Sequence, residues 1–150
     1  MADDDLHDPL TTAALRAEIL RLNVTKYNVG GAAPPLPATP GRKRLLVVGQ
    51  VEGDASIKYG AGEVRTNLGL LKAVRAAAPD AFIIWKPHPA VETGRRRGYL
   101  RPDLASQFAD LVLSQGDVGS LFGQVDGLHT LTSQAGFEAL LRGLPVTCWG

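Results

Sequence analysis

The sequence predicts an α/β fold built on a parallel sheet, and three observations support that class. Apolar runs without polar alternation, such as Leu45–Gly49 and Ala81–Trp85, are typical of strands buried on both faces. Helical patterns such as Asn67–Ala78 separate these runs, as parallel strands require. Glycine follows the last helical pattern at Gly143, a helix stop signal. We therefore predict a Rossmann-like doubly wound unit of about five strands over residues 43–150.

The remaining elements continue the same alternation. Asp117 and Ser133 are the predicted caps of two of the helices, because short polar side chains accept hydrogen bonds from the first free N–H groups. The last strand runs directly into Gly150 without a covering helix, so we expect a fragment of a longer fold. The apolar runs and helical patterns that alternate after residue 85 are Leu104–Phe108, Asp110–Leu113, Val118–Phe122, Gly127–Leu131, Phe137–Arg142 and Pro145–Trp149.

The residue pattern before the sheet region differs from the pattern within it. Residues Leu10–Leu22 carry apolar positions at the spacing of an amphipathic helix. A stretch rich in proline and glycine follows, which favours an extended linker over a helix or central strand. We therefore divide the chain into a helical segment left from a preceding domain (1–28), a linker (29–42) and the Rossmann-like domain (43–150).

Composition excludes several classes of protein. The 150 residues, 45% of them hydrophobic and 21% charged, suffice for one globular domain with a core. A formal net charge of +1 gives no electrostatic case for nucleic-acid binding. No apolar run reaches the roughly 20 residues that span a bilayer, and the N-terminus is acidic where a secretory signal would be basic. A single cysteine, Cys148, forms no internal disulfide and is expected in the core. These features predict a cytoplasmic protein.

Three polar clusters follow predicted strands, where ligands bind in open parallel sheets. The first is the long loop over residues 49–63, whose four glycines let the backbone approach a ligand closely. It lacks the dinucleotide fingerprint, and a solvated surface loop is an equal alternative. Its polar side chains are Gln50, Glu52, Asp54, Ser56, Lys58 and Glu63.

The second cluster is Trp85-Lys-Pro-His-Pro89, at the end of the second strand. Prolines on both sides of His88 fix the backbone around it. An imidazole held rigidly beside Lys86 suits phosphate binding or protonation of a leaving group. A structural turn whose histidine bonds locally is the alternative. No second histidine or cysteine lies at ligand spacing, so we predict neither a metal site nor a cofactor.

The third cluster spans His129–Val146, where a strand ends in Thr132-Ser133 and a helix begins at once. The helix N-terminus would then offer N–H groups to a phosphate. Gly136 lets a ligand or backbone come close, and Glu138 lies one turn into the helix, where its carboxylate suits ribose hydroxyls. A plain helix cap and an exposed helix residue are the alternatives for Ser133 and Glu138.

Four motifs in this order resemble the capsule polysaccharide biosynthesis family, whose members include KpsC-type β-Kdo transferases. The resemblance covers roughly residues 10–150. It rests on Thr25-Lys-Tyr-Asn28, Val48-Gly-Gln-Val-Glu-Gly-Asp-Ala-Ser-Ile57, Lys86-Pro-His-Pro89 and the string His129–Cys148.

The resemblance implies a two-domain glycosyltransferase of capsule polysaccharide synthesis and transport. Such enzymes transfer Kdo from CMP-Kdo to a phosphatidylglycerol-type lipid acceptor, in the cytoplasm or peripherally at the inner membrane beside the capsule export machinery. This chain would supply the donor-binding half. The implied donor contacts are Gln50, Ser56, Lys86, His88, Thr132, Ser133, Gly136 and Glu138.

The resemblance and the chemistry of carboxylates together suggest Asp54 as the nucleophile of a retaining mechanism, with His88 as the second catalytic residue. Glu52 and Glu63 lie in the same loop and remain alternatives. The family's acceptor domain is absent except for the segment before the linker, so the chain alone is expected to bind donor and transfer little.

Two other interpretations stay open. A non-catalytic Rossmann-like remnant or interaction module would need none of this chemistry. A transferase using a UDP- or GDP-sugar would share the Ser133-x-x-Gly136-x-Glu138 pattern, although the His-Pro motif at residues 88–89 argues against it.

Overall fold

The computed structural model describes residues 35–53, 63–92 and 97–149, and it contains a five-stranded, entirely parallel sheet with helices on both faces. The predicted fold class is therefore confirmed. Several expectations lie outside the described residues: the helix over Leu10–Leu22, the motif at residues 25–28, the first part of the linker, and the side chains of Asp54 and Ser56.

The elements alternate along the chain as strand and helix. The strands are β1 (Arg44–Val48), β2 (Phe82–Lys86), β3 (Leu111–Val112), β4 (Gly127–Thr130) and β5 (Val146–Cys148). The helices are α1 (Asn67–Ala77), α2 (Pro89–Glu92), α3 (Pro102–Ala105), a 3-10 helix (Val118–Gln124) and α4 (Gln134–Leu141). The sequence did not predict α2, and α3 overlaps the predicted segment 104–108 only over residues 104–105.

The strands lie in the order β3-β2-β1-β4-β5, so β1 is central. The chain first builds outward from β1 to β3 and then returns to the other side of β1. Val47 of β1 pairs with Trp85 of β2 on one side and with His129 of β4 on the other. The order therefore reverses between β1 and β4, and ligands bind at such a switch point in open α/β sheets.

Two apolar layers cover the sheet because successive strand residues point to opposite faces. In β1, Leu45 and Val47 pack on the face covered by α1. Leu46 and Val48 pack on the other face, which the 3-10 helix and α4 cover. Residues of β1 after its first position are all buried, as the uninterrupted apolar run predicted.

Helix α1 begins where Thr66 caps it, because the Thr66 hydroxyl accepts a hydrogen bond from the Gly69 N–H at 3.0 Å. Its apolar stripe buries Leu70, Leu71 and Val74 completely. Burying each such side chain stabilises the fold by about 1.5–3 kcal/mol. Ala78, the last residue of the predicted helical pattern, forms the C-cap of this helix.

Local signals define the helices on the opposite face. Asp117 caps the 3-10 helix through the Gly119 N–H, and Ser133 caps α4 through the Ala135 N–H. Both predicted caps are thus confirmed. Gly143 follows α4 with φ of 78°, a conformation that favours glycine and ends the helix where the sequence predicted.

At the amino-terminal ends of the strands, Asp110 is the centre of a cluster of hydrogen bonds and ion pairs. Its carboxylate accepts from Arg75 at 2.7 Å, from Arg42 at 3.3 Å and from the Ile83 N–H at 3.0 Å. Burial alone would raise the pKa of Asp110, but the bonds from Ile83 and Arg75 and the charges of both arginines outweigh it and lower that pKa below 3.8. The cluster ties the start of β2 to α1 and to the segment before β1.

Strand β5 is an outermost strand of the sheet, and one prediction fails there. Cys148 is exposed rather than in the core, because it lies on the outermost strand. Trp149, just after β5, holds this edge by donating its indole N–H to His129 Nδ1 at 2.9 Å, with the two rings stacked at 6.1 Å. Among the described residues, no helix is long and apolar enough to cross a membrane.

Replacing Gly49 with alanine is expected to destabilise the fold. The added Cβ would lie 2.6 Å from the Trp85 ring, which is only 1% exposed and has no room to move. We expect a loss of about 1–3 kcal/mol in the free energy of unfolding, measured by urea denaturation. Gly123→Ala is the matched control because no atom lies within 4 Å of its added Cβ. Equal effects of the two substitutions would contradict the close contact with Trp85.

The stability of the fold is expected to fall in mild acid because of His129. Burial lowers the pKa of His129 below 6.5, so below that pH the unfolded chain takes up a proton that the folded chain does not. The free energy of unfolding should therefore decrease as the pH falls from 6.5 towards the lowered pKa. Urea denaturation between pH 7.5 and pH 5.5 measures this decrease in the free energy of unfolding. It should be smaller for His129→Gln than for the parent, and the variant keeps the other two histidines of the chain. Identical pH profiles would refute the role of His129.

Candidate functional site

The carboxyl ends of β1 and β4 lie side by side at the switch point of the sheet. Gly49 and Gln50 follow β1, and Leu131, Thr132 and Ser133 follow β4. Two of the three clusters predicted from the sequence therefore meet at this place. We call the region the switch-point crevice.

A single glutamine side chain joins the two strand ends. Gln50 is only 5% exposed, and its Oε1 accepts a hydrogen bond from the Thr132 N–H at 2.6 Å. Its Nε2 donates to the Thr132 hydroxyl at 3.0 Å, and Oε1 also accepts from the Thr130 hydroxyl at 3.5 Å. The Gln50 side chain is thus held by β4 rather than extended into solvent.

Asn67, which was not among the predicted site residues, holds Gln50 from the other side. The Asn67 side chain accepts from the Gln50 N–H at 3.0 Å and donates to the Gln50 carbonyl at 2.8 Å. It also donates to the Gly98 carbonyl at 2.9 Å. Asn67 is only 1% exposed. Its side chain therefore supplies the hydrogen-bond partners that a neighbouring strand would otherwise give to the buried loop backbone. The only signal in the sequence was a polar residue at the first position of a helix.

One of the three candidate carboxylates, Glu52, has a structural contact. It accepts from the Asn67 N–H at 2.8 Å, at the N-terminus of α1. Such a contact is favourable because the helix N-terminus carries unsatisfied N–H groups and a partial positive charge. Glu63 is exposed. Asp54 lies between them in the chain, outside the described residues.

The Lys-Pro-His-Pro motif follows β2, next to β1. Lys86 is buried at 4% exposure, and its ammonium donates to the Ser114 carbonyl at 3.2 Å. His88 Nδ1 accepts from the Ala90 N–H at 3.0 Å at the start of α2. This is the local hydrogen bond that a purely structural turn around His88 would have, and it determines which ring nitrogen carries the proton. Because Nδ1 accepts, the neutral ring carries its proton on Nε2, which is therefore a hydrogen-bond donor.

A small cavity lies beside this motif. Its volume is about 20 Å³, enough for one water molecule. A nucleotide is far larger, so it would have to lie outside this cavity, in the open crevice. The lining residues are Val48, Gly49, Lys86, Pro87, His88, Pro89, Gly116 and Val118.

The turn Thr132-Ser133 opens α4. Ser133 Oγ accepts from the Ala135 N–H at 3.2 Å, and the Ser133 N–H donates to the Thr130 hydroxyl at 3.3 Å. These bonds fix the turn at the N-terminus of an eight-residue helix. Helix N-termini attract anions because their free N–H groups and the helix dipole point at them.

The next two candidates in α4 face inward. Gly136 is buried, and a Cβ there would lie 3.3 Å from both the Thr130 and the Val146 side chains. Its missing side chain therefore allows α4 to approach the sheet closely. Glu138 is only 6% exposed, which excludes the alternative of an exposed helix residue.

Comparison with known proteins relates the chain to capsule synthesis. The family described as "Capsule polysaccharide biosynthesis protein" matches residues 11–150. The capsule polysaccharide modification protein LipA of Neisseria meningitidis serogroup A is 44% identical over 146 residues, which are 97% of this chain and 21% of that protein. The chain thus spans about a fifth of the length of this relative.

Two solved structures from Thermosulfurimonas dismutans share the fold. The KpsC β-Kdo 2,7 transferase has a TM-score of 0.73 and 36% identity, covering 94% of this chain and 42% of that one. The KpsC β-Kdo 2,4 transferase has a TM-score of 0.69 and 29% identity, covering 91% of this chain and 44% of that one. The chain therefore corresponds to less than half of each of these structures.

Asn67 is expected to contribute more to stability than an ordinary helix-terminal residue. Asn67→Ala would leave the buried N–H of Gln50 without its partner and remove both donors to the loop carbonyls, a loss of about 2–3 kcal/mol. The neighbouring Thr66→Ala removes one exposed cap bond, a loss of about 1 kcal/mol. Urea denaturation compares the two variants. A Thr66→Ala effect as large as that of Asn67→Ala would refute the assigned role of Asn67.

Proposed function

This chain belongs to the capsule polysaccharide biosynthesis family, and from that premise we propose that it forms the donor-binding part of a glycosyltransferase. The proposed donor is CMP-Kdo, and the proposed acceptor is a lipid of the phosphatidylglycerol type. One observation carries the proposal. The capped turn Thr132-Ser133 and the motif of His88 both follow strands at the carboxyl edge, on either side of the end of β1.

The donor phosphate is the group that these residues suit best. The dipole of α4 places a partial positive charge at its N-terminus, and Ser133 and Thr132 add hydroxyls at the same turn. His88 presents an Nε2–H donor, because its Nδ1 accepts from the Ala90 N–H. In our proposal, these groups bind the phosphate of the CMP leaving group, and Lys86 adds positive charge behind them.

The remaining candidates have roles around that phosphate. Glu138 binds the ribose hydroxyls, and Gly136 keeps the α4 turn close to the sheet. Ser56 contacts the nucleotide sugar from the loop after β1. His88 is proposed to stabilise the charge on the phosphate through its Nε2–H as the glycosidic bond to it breaks. Neither a metal ion nor a cofactor takes part in this scheme.

The proposed reaction retains configuration through two displacements. A carboxylate, with Asp54 preferred, attacks the anomeric carbon of Kdo while CMP departs with the bonding electron pair. The oxygen of the acceptor hydroxyl then bonds to the anomeric carbon and displaces the carboxylate, and the hydroxyl proton passes to water. The Glu52 contact with the N-terminus of α1 supports Asp54, because it gives Glu52 a structural role in the same loop.

Transfer is proposed to require residues beyond this chain. The chain covers 42% of the structure described as the KpsC β-Kdo 2,7 transferase. We propose residues 43–150 as the donor domain, residues 29–42 as a linker and residues 1–28 as part of a preceding acceptor domain. The lipid acceptor would place the whole enzyme in the cytoplasm, at the inner membrane beside the capsule export machinery.

A second candidate function has its own observation. Phe137 and Leu140 lie three residues apart on α4 and are 59% and 57% exposed. An apolar pair on one helix face favours contact with another protein segment. A non-catalytic interaction module is therefore the alternative, and nucleotide binding distinguishes it from a donor site.

The purified chain is expected to gain thermal stability from CMP. A ligand at about 100 times its dissociation constant should stabilise a folded binder by about 2.7 kcal/mol, because it binds only the folded state. UDP and GMP should stabilise the chain less. Thermal unfolding is measured with each nucleotide, and each variant's shift is taken from its own ligand-free midpoint.

His88→Ala and Ser133→Ala are expected to lose most of the CMP shift. Ser106→Ala is the matched control, because Ser106 is exposed next to α3, far along the chain from either motif. A cooperative unfolding transition whose midpoint is not shifted by any of the nucleotides would refute the donor-site proposal and favour the interaction module. Equal shifts with all three nucleotides would leave a nucleotide site without the proposed cytidine specificity.

A further inference from the structure

We infer that Asn67 is a positioning residue of the donor site. It joins the loop after β1 to the loop after β2, and so holds in one relative position the two chain segments that carry Gln50 and His88. The inference rests on the proposed function and deepens it, because it assigns a role in donor binding to a residue outside the proposed donor contacts.

The side chain of Asn67 bonds to both loops at once. Its Oδ1 accepts from the Gln50 N–H at 3.0 Å, and its Nδ2 donates to the Gln50 carbonyl at 2.8 Å and to the Gly98 carbonyl at 2.9 Å. A primary amide has two hydrogens on its nitrogen, and each of them has its own carbonyl here. Because Asn67 is only 1% exposed, losing any of these bonds would leave a buried polar group without a partner.

Glu52 joins the same two loops a second time. Its backbone N–H donates to the Arg97 carbonyl at 2.9 Å, which links the loops directly. Its side-chain Oε1 accepts from the Asn67 N–H at 2.8 Å, which ties the loop after β1 to the start of α1. We call this group of five residues the loop clasp: Gln50, Glu52, Asn67, Arg97 and Gly98.

At Gly98 the two loops are too close for a side chain. Its φ of 116° is a conformation that residues with a side chain rarely adopt. A Cβ there would lie 2.7 Å from Asn67 Nδ2 and 3.1 Å from both the Gln50 carbonyl oxygen and Glu52 Cγ. All of these atoms belong to the loop clasp, and the Asn67 side chain is held by three hydrogen bonds. The clasp therefore requires glycine at position 98.

The loop clasp connects to the groups that are proposed to bind the phosphate. Asn67 holds the backbone of Gln50, whose side chain accepts from the Thr132 N–H at 2.6 Å. On the other side, His88 lies in the same connection between β2 and α3 as Gly98. The clasp thereby joins the Thr132 turn to the segment that carries His88. A preorganised site binds its ligand more tightly, because less conformational freedom is lost on binding.

Two substitutions break the loop clasp in different ways. Asn67→Ala removes the three side-chain hydrogen bonds, whereas Gly98→Ala keeps every polar group and forces the loops apart. We expect both to raise the dissociation constant for CMP at least about fivefold, because ordering one further side chain on binding costs about that factor. Isothermal titration calorimetry of the whole chain measures it, at a temperature at which urea denaturation shows each variant to be folded.

Val74→Ala is the control for a general loss of stability. Val74 is fully buried in the same helix, α1, and its truncation opens a cavity in the core without removing a bond of the loop clasp. Its dissociation constant for CMP should stay within about twofold of that of the parent, because a folded chain keeps its site.

Glu52 provides a pair of variants that are matched in charge. Glu52→Gln and Glu52→Ala both remove the negative charge, but only glutamine keeps an oxygen that can accept from the Asn67 N–H. Glu52→Gln should therefore retain most of the affinity for CMP that Glu52→Ala loses. Equal losses in the two variants would contradict a positioning role for this contact. The pair and Gly98→Ala keep the test decisive if Asn67→Ala does not fold.

Hydrogen exchange of single backbone amides, measured by NMR, tests the coupling of the loops without a ligand. Gly98→Ala changes only the loop after β2. The amides of Gln50 and Glu52, in the other loop, should then exchange faster by a larger factor than the amide of Leu46 in β1. Val74→Ala should not favour exchange of the loop amides over that of Leu46, because it lowers the stability of the whole fold.

Each outcome supports or overturns the inference. Weaker CMP binding in both clasp variants but not in Val74→Ala, together with faster exchange in the loop after β1, supports it. Clasp variants that bind CMP as well as the parent does overturn the positioning role while the donor site stands. An exchange rate of Gln50 that Gly98→Ala leaves unchanged overturns the coupling of the loops. A parent chain that binds no CMP refutes the proposed function, and the positioning role fails with it.

Discussion

The central position of β1 is the constraint on which the rest of the structure depends. Its two neighbours are both parallel to it, so every connection must cross over a face of the sheet, and both faces are buried under helices. Leu46 and Val47 therefore have no exposed surface, although they point in opposite directions. The same arrangement places the carboxyl ends of three strands at one edge. Each loop leaving that edge must satisfy its own backbone groups, because the sheet no longer supplies partners there.

Side-chain amides supply those partners at the switch point. Asn67 at the start of α1 holds the backbone of Gln50, and Gln50 in turn holds the backbone and hydroxyl of Thr132 at the start of α4. The N-terminal ends of two helices on opposite faces of the sheet are thereby connected through three residues. Because all of these bonds are buried or partly buried, losing one leaves a polar group without water to replace its partner. A rigid crevice is the direct result of satisfying the loop backbone.

The features that could be predicted from the sequence depend on neighbouring residues, whereas those that could not depend on strand order. The apolar runs of β1 and β2 and the caps Asp117 and Ser133 depend on neighbouring residues, and all of them were predicted. The bond between Gln50 and Thr132 joins residues 82 positions apart, and it exists only because β4 pairs beside β1. Cys148 was wrongly expected in the core because nothing in its neighbourhood shows that β5 is the outermost strand. The motifs therefore indicated which loops carry polar side chains at the carboxyl ends of the strands, whereas the partners of each side chain required the topology.

Local polar groups matter more than overall charge in the donor site that we propose. The formal net charge is only +1, so long-range attraction contributes little. The turn that opens α4 instead combines the dipole of an eight-residue helix with the hydroxyl groups of Thr132 and Ser133, and Gln50 fixes the position of that turn by accepting from the Thr132 N–H. Because Gln50 and Ser133 are buried, each polar group of this turn would contribute more to the attraction of a phosphate than the same group would in water.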